Sequence, residues 1–496
     1  TSLGMTKAAQ LWLAISLGEE FARATSKYTG PDAHLWPHSR GHVGSYSKSP
    51  LRGPRNLSDA LLWKWHHPVS RFLTIVVGGA LFDENRSLYL TTKDAIWKFQ
   101  GDTGEVLWYH DTRDMGEIPT ASSIMGGHIF GSSVRGWVFK LQLSSGEEVW
   151  RMKHADITGG DTAYVEAYNG VVVYGAYPSQ RYGGGATKII GVNGTDGEKL
   201  WEFEPDTASW NFQAQFASDG ESLIFQDVEG KCYRLRAADG RLVWRSGTFL
   251  PTSFSDGGAL LAEAEGRVYA VANRAEGTGW EPDTPGILYA LNFSDGKTLW
   301  QRSVARVPNT WPAVAPLRKG AKPSVVIPVG RQGNLPGSTH LPKWMPSRAV
   351  KAVHSFSLWL GDYQMYLWQE APMPLDIYAF DAETGRSQWF WKGPVHRRVA
   401  CGSDEEGWNT RLAIGGRAAC WPGPWSAPTI DAEGTVYVGA QNGDLFAIRD
   451  DNGDGKIDDA TEVSRFDVEA SALHPGPALV PGLLAYPTCD GLFVFK

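Results

Sequence analysis

Apolar and polar residues alternate in short runs along most of this chain, and glycines separate the runs. Residues 122–150 show the pattern clearly, with three short runs and then a fourth, spaced about ten residues apart. Alternation over a few residues is typical of a β-strand with one buried face. A Gly-containing step before the final run predicts a tight hairpin turn, because glycine adopts positive φ at little cost. The pattern therefore predicts repeated units of four antiparallel strands.

Each unit closes on nearly the same phrase, which ends in tryptophan. The six full copies end at Trp108, Trp150, Trp201, Trp244, Trp300 and Trp389. A weaker copy ends at Trp65, and a last copy ends at Phe466. The first five full-copy tryptophans are preceded by intervals of 43, 42, 51, 43 and 56 residues, and a period of about 40 to 50 indicates a repeat architecture. We interpret these aromatic residues as structural, wedged between neighbouring sheets, where burial contributes at most about 4–6 kcal/mol each.

The count of units predicts an all-β, eight-bladed β-propeller. Seven units are continuous, and only about three strands remain after Phe466, within residues 478–496. We expect residues 60–67 to supply the missing outer strand, because such closure removes free sheet edges. The predicted organisation is an N-terminal extension over residues 1–34 and a propeller over residues 35–496.

The repeated phrase resembles the D-x-x-T-G-x-x-x-W docking motif of the PQQ-like β-propeller repeat superfamily. Residues 35–54, LWPHSRGHVGSYSKSPLRGP, resemble the stretch that precedes the first blade in this group. The resemblance spans residues 35–496 and is specific for the fold. It leaves the function open, because the superfamily contains both quinoprotein dehydrogenases and non-enzymatic scaffolds.

Four long insertions interrupt the units, and we expect them on one rim of the propeller. They begin at residues 177 and 273 and span residues 331–374 and 391–424. Loops between the second and third strands of a blade share a face with the loops between blades. Long loops on a rigid scaffold usually carry recognition.

The insertion at 331–374 contains a dense aromatic stretch. Its members are Phe356, Trp359, Tyr363, Tyr366 and Trp368. We predict that they bind a partner protein, as exposed apolar patches often do. The alternative is that the insertion folds onto its own propeller.

An oxygen-rich segment near the C-terminus has the spacing of a calcium loop. The predicted ligands are Asp450, Asn452, Asp454, Lys456 through its carbonyl, Asp458 and Glu462. Thr461 stands at the twelfth position, one residue before Glu462. We predict structural calcium here; the alternative is an ordinary turn rich in Asp and Asn.

Cysteines and sequons indicate an extracytoplasmic protein, whether secreted, periplasmic or in an organelle lumen. We predict a disulfide between Cys401 and Cys420, and buried thiols at Cys232 and Cys489. Four N-glycosylation sequons, at Asn56, Asn85, Asn193 and Asn292, suit a secreted glycoprotein. Residues 5–24 read either as a signal-like segment or as a retained amphipathic helix, and we favour the helix.

The charge balance argues against nucleic acid as a partner. The chain carries 47 basic and 54 acidic residues, so it lacks the electrostatic footprint of a nucleic-acid-binding protein. No apolar stretch is long enough for a transmembrane span, although peripheral membrane association remains compatible with the sequence.

The function that we predict is a non-catalytic scaffold or protein-binding subunit of a larger assembly. The alternative is a PQQ- and calcium-dependent dehydrogenase of the same superfamily. The resemblance implies that such enzymes carry adjacent cysteines beside the quinone and an acidic calcium site in the central funnel. This chain has no adjacent cysteines, which disfavours PQQ. A glycan-binding propeller is a further alternative, suggested only by the abundance of aromatic residues.

Overall fold

Repeated four-stranded sheets make up the part of the chain that the computed structural model describes. The described residues are 34–69, 71–72, 78–118, 120–158, 163–177, 185–210, 212–253, 255, 257–275, 284–330, 373–396, 424–471 and 475–496, with 346, 348–349, 352, 404, 406–407 and 410. The predicted aromatic stretch, Cys401, Cys420 and residues 1–33 lie outside them.

Three strands precede the first continuous sheet: β1 (Gly41–His42), β2 (Ser45–Tyr46) and β3 (Leu61–His66). Blade 1 comprises β4 (Leu81–Phe82), β5 (Ser87–Thr91), β6 (Ala95–Gln100) and β7 (Val106–Asp111). After the short β8 (Thr120–Ala121), blade 2 comprises β9 (Ser123–Met125), β10 (His128–Ser132), β11 (Trp137–Gln142) and β12 (Glu148–Lys153). After β13 (Ile157–Thr158) and β14 (Ala163–Tyr164), blade 3 comprises β15 (Glu166–Tyr168), β16 (Val171–Tyr177), β17 (Lys188–Asn193) and β18 (Lys199–Phe203). Blade 4 comprises β19 (Gln215–Phe216), β20 (Ser222–Gln226), β21 (Cys232–Arg236) and β22 (Leu242–Ser246).

The remaining blades follow the same plan. After β23 (Thr252–Ser253), blade 5 comprises β24 (Ala259–Ala262), β25 (Arg267–Arg274), β26 (Gly286–Asn292) and β27 (Thr298–Val304), with a 3-10 turn at Glu263–Glu265. Blade 6 comprises β28 (Ala313–Pro316), β29 (Pro323–Gly330), β30 (Met373–Asp381) and β31 (Ser387–His396). Blade 7 comprises β32 (Thr429–Ile430), β33 (Val436–Gly439), β34 (Asp444–Ile448) and β35 (Val463–Asp467). Blade 8 comprises β36 (Ala478–Val480), β37 (Leu483–Pro487), β38 (Gly491–Phe495) and β3.

Eight antiparallel sheets confirm the predicted all-β propeller of four-stranded blades; the sheets of blades 3 and 5 each gain a short fifth strand, β13 and β23. The N-terminal strand β3 pairs antiparallel with the C-terminal strand β38, with Lys64 opposite Phe493. The backbone N–H of Lys496 also donates to Ala60 O at 2.8 Å. The predicted closure by the N-terminal strand is therefore confirmed. Among the described residues, no helix is long and apolar enough to cross a membrane.

The fold has two distinct faces because neighbouring strands in each blade run antiparallel. We call the side that carries the turns between first and second strands and between third and fourth strands the turn face. The opposite side carries the second-to-third connections and the links between blades, and we call it the insertion face. Connections 178–187, 275–285, 331–372 and 397–428 all leave from the insertion face. The prediction had started the last insertion at residue 391, but β31 continues to His396.

The docking tryptophans lie on fourth strands and touch the next blade. The ring of Trp201 packs on Gly240 in the turn of blade 4, and its Nε1–H donates to Ala237 O at 2.7 Å. Six glycines occupy the equivalent turn position, namely Gly104, Gly146, Gly197, Gly240, Gly296 and Gly385, with φ between +67° and +78°. A Cβ at any of them would lie 2.6–2.8 Å from the neighbouring indole, so only glycine fits both the turn and the ring.

The closing blade departs from the predicted register. Trp63, rather than Trp65, packs on Gly104 of blade 1 and donates its Nε1–H to Gly101 O at 2.9 Å. Trp65 instead packs edge-on against Phe99, with ring centroids 5.3 Å apart. A bulge between Leu61 and Trp63 in the β3–β38 pairing shifts the register here, and the sequence does not reveal that bulge.

Candidate functional site

The N-terminal segment forms a plug in the central channel. We define the plug as residues 34–49, which contain β1 and β2. Its contacts with the innermost strands of blades 1 to 4 are Trp36 N to Phe82 O (3.0 Å), Ile124 N to Pro37 O (2.8 Å), His38 Nδ1 to Glu166 Oε2 (2.7 Å) and Phe216 N to the Tyr46 hydroxyl (3.0 Å). Strand β2 packs against β24 of blade 5. The contacts with blades 6 to 8 are Arg40 Nη2 to Pro312 O (2.7 Å), Ser49 N to Ile430 O (2.9 Å) and Ser49 Oγ to Leu479 O (3.1 Å). The plug thus ties the inner edge of every blade.

Charged residues lie at the centre of this plug, and almost no solvent reaches them. The exposed fraction of Arg40 is 2%. Its guanidinium donates to Ser47 Oγ as well as to Pro312 O, and it lies 5.6 Å from the ring centre of Trp311. Burial lowers the pKa of Arg40 to about 9, opposed by Tyr164 and then by Glu166. Nε and Nη1 of Arg40 have no hydrogen-bond partner among the described residues.

Two histidines of the plug are buried beside Arg40. The His38–Glu166 pair is almost fully buried, with side-chain exposure of 2% and 1%. Burial lowers the pKa of His42 to about 3. The hydrogen bond between His42 Nε2 and Leu35 O, at 2.8 Å, opposes this shift. His42 is therefore neutral at ordinary pH.

The predicted calcium loop is a connection between the third and fourth strands of blade 7. We call residues 450–462 the Asp loop. It lies on the turn face, away from the long connections. Its backbone pairs with the outer strand of blade 6 through a parallel bridge between Lys456 and Phe390. The Trp391 Nε1–H donates to Asp459 Oδ1 at 2.6 Å. The loop therefore fastens blade 7 to blade 6.

The acidic side chains of the Asp loop accept hydrogen bonds from protein donors. Asp450 accepts from Gly453 N at 2.6 Å and from Arg318 Nη2 at 2.6 Å. Glu462 accepts backbone N–H groups from both ends of the loop, including Asp451 N at 2.8 Å and Asp458 N at 2.9 Å. Among the described residues, no group of three or more His, Cys, Asp or Glu side chains is placed to hold a metal ion. In this arrangement protein donors occupy Asp450 and Glu462, and calcium binding stays a prediction.

A cleft of about 360 Å³ opens beside the Asp loop. Arg318, Lys322 and Trp389 line it together with Asp450 and Asp454. The indole N–H of Trp389, like those of Trp108 and Trp150, has no acceptor within the described parts of the chain. Since the lining carries charges of both signs, it shows no clear preference for a cation or an anion.

The cysteines differ from the prediction. Cys232 is a free, buried thiol, as predicted. Cys489 is disulfide-bonded, so the predicted free thiol at this position is wrong. Cys401 and Cys420 lie outside the described residues, so the predicted bond between them stays a prediction.

Sequence reasoning missed the buried ionisable side chains of the plug. Arg40 and His38 stand in the lead-in before the first blade, and Glu166 begins the first strand of blade 3. The lead-in motif was a signal that this stretch has a fixed structure. Nothing in its pattern indicated that the charged side chains would be buried.

The chain is similar to known propellers of two functional classes. A family model described as outer membrane protein assembly factor BamB matches residues 92–278 and 185–335, just under half of the chain. This match confirms the resemblance to PQQ-like repeats. No curated protein sequence matches the chain.

Solved structures of both classes share the fold. BamB from Moraxella catarrhalis is 11% identical with a TM-score of 0.52, covering 88% of this chain and 97% of that one. The quinohemoprotein alcohol dehydrogenase ADHIIG from Pseudomonas putida HK5 is 11% identical with a TM-score of 0.61, covering 96% of this chain and 81% of that one. A europium-containing methanol dehydrogenase is 11% identical with a TM-score of 0.58, covering 96% and 100%. At this identity the similarity shows the fold alone.

Proposed function

We infer from the PQQ-like propeller that this protein is a non-catalytic scaffold, a protein-binding subunit of a larger extracytoplasmic assembly. Its partners are other protein subunits, and it binds them through the insertion face. The family match to an outer membrane assembly factor supports this class of function. The disulfide at Cys489 supports an oxidising compartment.

The observation that carries the proposal is the placement of the long connections. All four leave from the insertion face, and the two longest span residues 331–372 and 397–428. The turn face has short hairpins, apart from the Asp loop. The plug ties all eight inner strands, so the ring is a rigid support for these loops. Long loops on a rigid support usually carry recognition.

A pull-down with the full chain tests the proposal. The variant replaces residues 335–370 by a short Gly-Ser linker between β29 and β30, which leaves both strands intact. We expect partners recovered with the full chain to be lost with this variant. The matched control, Asp451→Asn, changes an exposed carboxylate on the turn face and should leave recovery unchanged. Equal recovery of partners by the full chain and the deletion variant would show that this insertion does not bind them.

A second candidate function is a quinone-dependent alcohol dehydrogenase. The structural similarity to quinohemoprotein and europium-containing dehydrogenases favours it, as do the buried, unpartnered N–H groups of Arg40 and the Tyr164 hydroxyl near the channel axis. Arg40 would hold a carboxylate of the quinone, which would accept electrons from an alcohol. The test adds the quinone with calcium or a lanthanide and measures dye reduction by alcohols. Alcohol-dependent reduction that Arg40→Met abolishes would establish this function in place of the scaffold.

A further inference from the structure

All four sequons of the sequence lie on the turn face. Asn85 lies between β4 and β5, the first two strands of blade 1. Asn193 and Asn292 are the last residues of the third strands of blades 3 and 5. Asn56 precedes β3, which enters the closing blade from the same side. The neighbouring Leu57 N donates to Ser464 Oγ at the start of β35, which confirms this side.

The two sequons outside the repeated turns are well exposed. Asn56 is exposed, and its Nδ2–H donates to the exposed Asp59 at 2.7 Å. Asn85 is exposed at the tip of a hairpin, and its Nδ2–H donates to Glu84 at 3.2 Å. An N-linked sugar replaces one of the two amide hydrogens, so the other can still make each of these bonds. Both positions therefore accept a glycan without loss of folded contacts.

Asn193 and Asn292 open the tight turns before the docking strands. Asn193 Oδ1 accepts from Thr195 N at 2.8 Å, and Asn292 Oδ1 accepts from Ser294 N at 2.8 Å. Both side chains are half-buried, and their hydrogen bonds within the turn run through Oδ1. The turn thus uses the side-chain oxygen, whereas a sugar would attach to the nitrogen.

The turn alone does not require a sequon. Gln100 and Asp381 stand at the equivalent position in blades 1 and 6, and each accepts a backbone N–H of its turn, at 2.8 Å from Thr103 and 2.7 Å from Thr384. Neither is followed by a hydroxyl residue two positions later. An asparagine followed by Ser or Thr is therefore a feature beyond what the hairpin needs.

Asparagines on the insertion face lack the sequon. Asn442 lies between the second and third strands of blade 7 and is followed by Gly443 and Asp444. Asn273 and Asn309 are buried and bonded to each other at 3.0 Å. The sequons are thus confined to one face of the ring, whereas asparagine itself occurs on both.

We propose that the turn face is N-glycosylated, at Asn56 and Asn85 and at the half-buried Asn193 and Asn292. The ligand class is an oligosaccharide from a pyrophosphate-linked donor. The sugar C1–O bond to the donor breaks, a C1–Nδ2 bond forms, the amide loses one proton and the pyrophosphate leaves. The sugars would cover the turn face with bulky, hydrated groups and leave the insertion face free. This inference does not depend on the proposed scaffold function.

The test is secretion of the full chain from a eukaryotic cell, followed by peptide mass analysis after enzymatic release of N-glycans in heavy-oxygen water. We expect labelled aspartate at Asn56 and Asn85 in most molecules, with lower occupancy at Asn193 and Asn292. Labelling at two or more of the four sites supports the proposal. Unmodified asparagine at three or four sites, with a control glycoprotein from the same cells fully occupied, overturns it.

Two substitutions separate glycosylation from folding. Asn85→Gln removes the acceptor nitrogen, and Ser87→Ala removes only the hydroxyl that the sequon requires. Both variants should be secreted and should each lose the mass of one glycan. A contrary result has two parts: Asn85→Gln is not secreted, and Ser87→Ala shows no loss of glycan mass relative to the natural protein. Together they would show that Asn85 serves the fold and carries no sugar.

Discussion

At the scale of single residues, the docking tryptophan combines two contacts that no other residue supplies together. The ring covers a turn glycine of the next blade. The indole N–H also donates to a carbonyl of that turn in Trp63, Trp201, Trp244 and Trp300. For Trp201 of blade 3, these partners are Gly240 and Ala237 in the turn of blade 4. The sequence shows which tryptophans occupy this position through their spacing, except at Trp63, where a bulge shifts the register.

Trp201→Ala should destabilise the fold by about 3–5 kcal/mol, because the substitution leaves a cavity between blades 3 and 4. Trp201→Phe keeps the ring contact but loses the hydrogen bond, at about 1 kcal/mol. Denaturant unfolding measures both. The control is Leu200→Ala, since Leu200 is 45% exposed and should change stability little. Similar losses for Leu200 and Trp201 would contradict the docking role.

The buried His42 makes stability depend on pH. Burial lowers the pKa of His42 to about 3 in the folded protein, from 6.5. Between these values the unfolded chain binds the extra proton, so stability falls as the pH falls, by at most about 1.4 kcal/mol per pH unit. His42→Gln keeps a donor for Leu35 O and cannot titrate. The difference in unfolding free energy between the natural protein and this variant should therefore shrink or reverse as pH falls from 6.5; a difference independent of pH would refute the neutral His42.

At the scale of elements, the Asp loop stands where other blades have a short turn, and it connects blade 7 to blade 6 through hydrogen bonds. Its calcium-like spacing is real in the sequence, yet Asp450 is held by Arg318 and Glu462 by backbone N–H groups. Spacing along a chain cannot show which partners a folded loop meets in the neighbouring blade.

Calcium binding to the Asp loop requires Asp450 to leave Arg318. If the loop binds calcium, excess metal should stabilise the fold by about 2.7 kcal/mol at a hundredfold excess over Kd. Asp450→Asn should abolish this gain, and Arg318→Gln should tighten binding by removing the competing cation. The matched control is Asp451→Asn, since Asp451 pairs with Arg55 and Arg449 instead. Thermal unfolding with and without calcium is the measurement; no shift in the natural protein or in Arg318→Gln would rule out the site.

At the scale of the whole molecule, the ring is closed by the strands nearest its two ends and is filled by the plug. The carboxylate of Glu469 reinforces the closing blade, where it accepts from Arg71 Nη2 at 3.1 Å and lies 3.2 Å from His66 Nε2. It also pairs with Lys64 of β3. Although burial opposes the shift, contact with Lys64 holds the pKa of Glu469 below its usual range.

Glu469→Gln should loosen the closing strand by about 1 kcal/mol, which corresponds to roughly fivefold faster amide exchange in β3. Hydrogen exchange read by mass spectrometry locates the change. Glu202→Gln is the matched control, because Glu202 also pairs with two lysines but within blade 3. Exchange in β3 should be unchanged in this control. Equal effects of both substitutions on β3 would show that Glu469 has no special role in closure.

The sequence by itself determined the strand repeat, the number of blades, the closure by residues 60–67 and the face from which the long connections leave. These features follow from local periodicity, tight turns and chain order, all of which depend on residues close together in the sequence. Tertiary structure alone decided that Arg40 and the His38–Glu166 pair are buried in a plug touching every blade. It also decided that Cys489 is disulfide-bonded, that Arg318 donates a hydrogen bond to Asp450 and that the sequons share one face. These features join residues that are far apart in the chain, and only the closed ring brings them together.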